Sequence, residues 1–198
     1  MRTSFVFLRV VSVLSVCASA MAISSPAQAV ERGFYLGTDV AQLQTTIDYG
    51  VTESYTTSHA RLKGGYQFLD FLSVEGRIMS SGNDTDIDFL GDRYSFDTGT
   101  MYGFYVRPHT NFRTANVYGI VGLTVMNTSY RFVNGGPVDN DRVLVETIGV
   151  GGDFRIAGNL SLTVEAQVYV GTADYKSYFF TSVDLTGYGL SAGLRYRF

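Results

Sequence analysis

The feature that most restricts this chain is alternation with a period of two, sustained over unusually long runs. Between residues 160 and 170, Leu160, Leu162, Val164, Ala166, Val168 and Val170 alternate with Ser161, Thr163, Glu165, Gln167 and Tyr169. Residues 188–198 repeat the pattern, with Tyr188, Leu190, Ala192, Leu194, Tyr196 and Phe198 set against Gly189, Ser191, Gly193, Arg195 and Arg197. Successive side chains of a strand point to opposite faces, so each run has one apolar and one polar face. A tilted strand needs roughly 9–11 residues to cross a bilayer. Strands of water-soluble proteins average about five or six.

Six further segments follow the same rule. Residues 33–43 set Leu36, Thr38 and Val40 against Gly37, Asp39 and Ala41, and 59–68 set Ala60, Leu62, Tyr66 and Phe68 against Arg61, Lys63, Gly65 and Gln67. Residues 72–80 oppose Val74 and Ile78 to Glu75 and Arg77; residues 100–108 oppose Tyr102, Phe104 and Val106 to Gly103, Tyr105 and Arg107. Residues 116–126 are apolar on both faces, which leaves their orientation open. Residues 143–156 set Ile148, Val150 and Phe154 against Gly149, Gly151, Asp153 and Arg155, with Glu146 a blemish on the apolar face, suited only to a membrane edge. The connections alternate between short (69–71, 109–115, 157–159) and long (44–58, 81–99, 127–142, 171–183). Tight turns on one side and extended loops on the other are the habit of transmembrane barrels.

Inside hydrocarbon no water satisfies backbone N–H and C=O groups, so a spanning sheet must close on itself. The expected fold is therefore all-β, an up-and-down antiparallel transmembrane β-barrel of eight strands. Its apolar face meets lipid and its polar face lines a lumen narrow enough for side chains to fill. The polar face carries Asp39, Arg61, Lys63, Glu75, Arg77, Arg107, Asp153, Arg155, Glu165, Arg195 and Arg197. Unpaired charges there would be costly, so these residues are expected to form a lumen network of ion pairs centred on Glu75 and Glu165. Phe34, Tyr35, Tyr66, Phe68, Tyr102, Tyr130, Tyr169 and Tyr188 are expected to supply interfacial girdles in a chain without Trp.

The first 29 residues stand apart. Arg2 and Arg9 give a basic start, residues 10–16 an apolar core, and Pro26-Ala27-Gln28-Ala29 a small-x-small ending. Residues 1–29 thus read as a secretory signal peptide cleaved after Ala29, with residues 30–198 as the barrel domain. Cleavage removes Cys17, the one cysteine, and moves the formal charge from −3 to −5 by removing Arg2 and Arg9. That mild acidity argues against nucleic acid as a partner.

No catalytic residue, cofactor or metal site is expected. Ser58 and His59 are chain neighbours on a strand and point apart, so they cannot act as a nucleophile–base pair. His59 and His109 are read as ordinary surface or rim residues. Asp84, Asp86 and Asp88 alternate as calcium ligands can, but an EF-hand loop begun at Asp84 would need Gly and Glu where Phe89 and Ser95 stand. A solvated acidic external loop is the expectation. Tyr175, Tyr178, Phe179 and Phe180, in the last long connection, are candidate contacts for an unidentified surface ligand.

The ending, with Leu194, Tyr196 and a terminal Phe198 at alternate positions, resembles the C-terminal signal read by the barrel-assembly machinery. Gly33-Phe34-Tyr35-Leu36-Gly37, Gly64-Gly65-Tyr66-Gln67-Phe68 and Leu72-Ser73-Val74-Glu75-Gly76 resemble the small OmpA-like outer-membrane β-barrel family, across residues 31–198. The resemblance implies a porin-like barrel in the outer membrane of a Gram-negative cell envelope, reached by export through the periplasm. Its implied partners are outer-membrane lipid and, during insertion, the assembly machinery. It implies a structural or surface-interaction role through the long external loops. A narrow channel for ions or small solutes is one alternative, and a lipid-modifying barrel enzyme another.

Overall fold

A computed structural model describes residues 32–48, 52–81, 85–89, 92–112, 115–132, 139–173 and 183–198. The signal-peptide reading of residues 1–29 and the four loop aromatics at 175–180 lie outside the described residues. The described residues form nine strands: β1 (Gly33–Asp48), β2 (Thr52–Leu69), β3 (Leu72–Ser81), β4 (Thr85–Phe89), β5 (Asp92–Asn111), β6 (Ala115–Phe132), β7 (Asp139–Ala157), β8 (Leu160–Ala173) and β9 (Val183–Arg197).

All pairings are antiparallel between chain neighbours, apart from β1 with β9 and β3 with β5, and these two close the sheet. Both β3 and β4 pair with β5, at Leu72–Met79 and Thr85–Phe89 respectively, so the nine strands make eight staves. The result is a closed eight-stranded antiparallel barrel in which no described residue is helical.

The strands run well past the predicted limits. β1 extends to Asp48 and β2 begins at Thr52, so most of the expected 44–58 loop is paired strand. Likewise β4 and β5 together absorb most of 81–99, and β6 and β7, of 18 and 19 residues, most of 127–142. The physical reason is that backbone pairing outlasts the apolar pattern: polar Thr, Ser and Gln positions hold the ladder beyond the membrane. At the opposite end the turns are tight, and Gly158 supplies the positive φ of 50° needed between β7 and β8.

Parity sorts the side chains. Phe34, Leu36, Val40, Leu62, Phe104, Val150 and Leu190 are all exposed on the outer face, while their odd-numbered or polar neighbours turn inward. The orientation of β6, open from its sequence, is settled by its neighbours: Tyr118, Ile120, Thr124 and Met126 are buried in the lumen, and Val117 and Leu123 face out. Glu146 lies between Leu123 and Val170 in the ladder, half-buried. Glycine makes room for rings in so narrow an interior. Tyr35 stands opposite Gly65 and Tyr118 opposite Gly151, and a Cβ at either glycine would collide with the ring beside it.

Candidate functional site

The candidate site is the lumen half nearest the short turns. Odd positions of β1, β2, β3, β5, β7, β8 and β9 send charged side chains there, and each of them is almost wholly shielded from solvent. Arg61 grips Asp39 with both arms of its fork, Nε to Oδ1 and Nη2 to Oδ2, each at 2.7 Å, and its Nη2 also donates to Glu165 Oε2 at 2.6 Å. Lys63 bridges the same two carboxylates, at 2.9 Å to Asp39 and 3.2 Å to Glu165. Arg77 joins Glu165 at 3.0 Å to Glu75 at 2.6 Å. Arg107 continues from Glu75 to Asp153, where Arg195 closes the series at 2.6 Å.

Neutral groups complete the shell of Glu165. Tyr118 donates to its Oε1 at 2.9 Å and Gln167 to its Oε2 at 2.7 Å, while Tyr169 donates to Gln167 in turn. The guanidinium of Arg107 lies 3.8 Å from the Tyr118 ring centre and that of Arg77 lies 4.4 Å from Tyr105, close enough for cation–π attraction. Stripping charges of water costs several kcal/mol per ion, about what good pairing and extra hydrogen bonds can return. Bidentate and shared contacts of this kind are the ones that return it.

Above this layer, toward the long hairpins, Leu43, Met79, Met101, Met126, Val143, Val145 and Tyr169 form one buried apolar cluster. Between the layers, Tyr105, Thr124 and Thr147 share hydroxyl hydrogen bonds at 2.7 Å.

The structure brings together Asp39, Arg61, Lys63, Glu75, Arg77, Arg107, Asp153, Glu165 and Arg195. Two lumen candidates sit apart. Arg155 has the inward parity but lies at the end of β7, exposed below the barrel wall. Arg197 is half-buried at the mouth and donates to Gln67 Oε1 at 3.0 Å. Both histidines depart from expectation: His59 and His109 are buried rather than at a surface or rim. His59 follows the inward parity of Arg61, and its Nε2 is 2.8 Å from the Thr57 hydroxyl. Tyr35 and Tyr169 are also buried lumen residues, not girdle residues, whereas Phe34, Tyr66, Tyr102 and Tyr188 are exposed on the outer face. Asp86 and Asp88 belong to β4, in register with Ser95 and Arg93, so this part of the acidic external loop is a paired hairpin.

Sequence reasoning missed the neutral partners Tyr118, Ser191, Gln167 and Thr163. Three of them share the parity of the charges, so parity alone could have found them. Tyr118 lies on a strand apolar on both faces, where that signal fails.

A family model described as outer membrane protein beta-barrel domain matches residues 13–198. No curated protein sequence matches the chain. Among solved structures it is similar to neisserial surface protein A (NspA), with a TM-score of 0.60 at 17% identity, covering 84% of this chain and 97% of that one. OprG from Pseudomonas aeruginosa gives a TM-score of 0.59 at 12% identity, covering 87% and 99%. Ail, the attachment invasion locus protein of Yersinia pestis, gives 0.51 at 15% identity, covering 83% and 99%. Identities this low speak for a common fold alone.

Proposed function

The chain belongs to the outer membrane protein β-barrel family, and from that premise we propose that it is a closed scaffold which displays its long hairpins at the cell surface for contact with outside partners. Its place is the bacterial outer membrane, with lipid around its apolar face. The observation that carries the closed reading is the filled lumen: five cations and four carboxylates interlock across one half, and seven apolar side chains close the other. An eight-stranded barrel leaves little room beyond its own side chains. The reading assigns no catalysis to the barrel.

Residues 1–29 act in this proposal as the export signal, removed after Ala29. Leu194, Tyr196 and Phe198 are the segment offered to the barrel-assembly machinery, and all three are exposed on the outer face. Tyr175, Tyr178, Phe179 and Phe180 are the contact residues of the last long connection. A surface role is compatible with the fold, since Ail has been solved with the heparin analogue sucrose octasulfate.

Planar-bilayer recording of the refolded protein tests the closed scaffold. Current at the level of the bare bilayer is expected, and a stable unitary conductance would replace this reading with a narrow channel. Replacing Tyr175, Tyr178, Phe179 and Phe180 by Ser should abolish attachment of expressing cells to host-cell or matrix surfaces. Unchanged attachment would remove the contact role from these residues.

A further inference from the structure

We propose that the short-turn mouth of the barrel is a binding site for a phosphate group, built from Arg155, Arg195, Arg197 and the side-chain amide of Gln67. The first argument is charge. Among the described residues five buried cations, Arg61, Lys63, Arg77, Arg107 and Arg195, share four buried carboxylates, Asp39, Glu75, Asp153 and Glu165. The imbalance is not spread evenly. Asp39 and Glu165 hold Arg61 and Lys63, and Glu75 lies between Arg77 and Arg107. Nearer the mouth Arg195 pairs with Asp153 at 2.6 Å, and Asp153 is shared, more distantly at 3.6 Å, with Arg107.

The strand register adds more positive charge at that end. Arg155 on β7, Ser161 on β8 and Arg195 on β9 stand in one row. Arg197, two residues beyond Arg195 on the same face of β9, is half-buried and lies within reach of the positive charges of Arg195 and Arg155. Its hydrogen-bond acceptor is the neutral oxygen of Gln67, at 3.0 Å. Phe198 turns to the outer face.

The second argument is an unspent donor. Gln67 is 2% exposed, and with its oxygen engaged by Arg197 its Nε2 lies beside that guanidinium without a partner among the described residues. A buried amide N–H left unpaired is costly. One multivalent oxyanion would accept from the Gln67 amide and from the arginine forks together, and it would cancel the surplus charge. Tetrahedral phosphate oxygens match planar guanidinium forks, which a spherical halide cannot do. The site opens on the periplasmic side, where such a phosphate comes either free in solution or as a phospholipid headgroup.

The test uses the refolded barrel in a maltoside detergent, which contains no phosphate. Inorganic phosphate is titrated against chloride at equal ionic strength, with 15N NMR of the Gln67 amide and the Arg195–Arg197 backbone as the readout. In a parallel arm phosphatidylglycerol is added to the micelles without free phosphate. Saturable shifts confined to these residues are expected in at least one arm, and the arm in which they occur identifies the source. Arg197→Gln and Arg155→Gln should each weaken binding by about tenfold, as the loss of one charged hydrogen bond would. Arg155 is exposed and outside the buried network, so the unfolding midpoint of Arg155→Gln should stay that of the wild type, which separates lost binding from lost folding. Shifts no larger than with chloride in both arms, or unaltered binding in both variants, would overturn the proposal.

Discussion

Toward the short turns the lumen is closed by charge, and Glu165 alone meets Arg61, Lys63, Arg77, Tyr118 and Gln167. Toward the hairpins it is closed by Leu43, three methionines, two valines and a tyrosine, held by apolar contact, with the Tyr169 hydroxyl reaching down to Gln167. The two layers fill the same cross-section but carry different information. Slipping a strand by one residue would drive the charged layer into lipid, at about 2–4 kcal/mol for each Arg or Lys near the midplane. The same slip would cost the apolar layer little, because methionine and valine suit either face. The charged layer therefore specifies register, while the apolar layer supplies a dry seal tolerant of exchange.

Substitution at the centre of the charged layer should separate the two most sharply. Glu165→Leu leaves Arg61, Lys63 and Arg77 sharing what Asp39 and Glu75 can offer, and a loss of about 3–5 kcal/mol is expected in denaturant unfolding from micelles. Glu165→Gln keeps the shape and should recover little of that loss, since shape is not what the three cations need. Stability within 1 kcal/mol of wild type for both variants, roughly the size of a neutral hydrogen bond, would show that the network is ornamental.

The apolar layer should behave in the opposite way. Met101 is fully buried against Met126, its partner in the β5–β6 ladder, and Met101→Ala should cost about 2 kcal/mol through lost contact and a partly collapsed cavity. Here a shape-conserving exchange repairs the damage, and Met101→Leu should stay within about 1.5 kcal/mol of the wild type. If Leu were as harmful as Ala in the same unfolding measurement, the seal would have to be a fitted one, and the contrast between the layers would fail. Smaller again is Tyr118→Phe, which removes one hydroxyl from Glu165 and should cost about 1–2 kcal/mol.

What was legible in the sequence follows the same division. Wherever one face held charges, as at Arg61 and Lys63 or at Arg195, parity gave the strand, its orientation and the inward side chain. On β6, where Val117, Tyr118, Ile120, Val121 and Leu123 are apolar on both faces, nothing local marks the inside. Its orientation comes from β5 and β7, whose registers place Tyr105 opposite Gly122 and Gly151 opposite Tyr118. An aromatic ring suits an interface, so pattern alone assigns Tyr35 and Tyr169 to the girdle. Their burial depends on the space over Gly65 and beside Gly187, a cross-strand relation invisible along one chain segment. Strand ends were missed because hydrogen-bonded pairing persists after the apolar stripe stops.

Parity has a limit of its own at the barrel rim, and Arg155 tests it. It is two residues from Asp153, on the same side of β7, and by alternation alone it belongs with the lumen charges. Yet the wall ends there: Phe154, Arg155 and Ile156 are all exposed in succession, and the β7–β8 register breaks between Arg155 and Ala157. An exposed guanidinium keeps its water, so losing it leaves no buried charge behind. Arg155→Ala should shift stability by no more than about 0.5 kcal/mol, the smallest effect of the series. The same change at Arg195, whose guanidinium is 2.6 Å from Asp153, should cost several times as much because that carboxylate would lose its nearer partner. Equal losses at the two positions would mean that position on the strand, not enclosure by the wall, decides membership of the network.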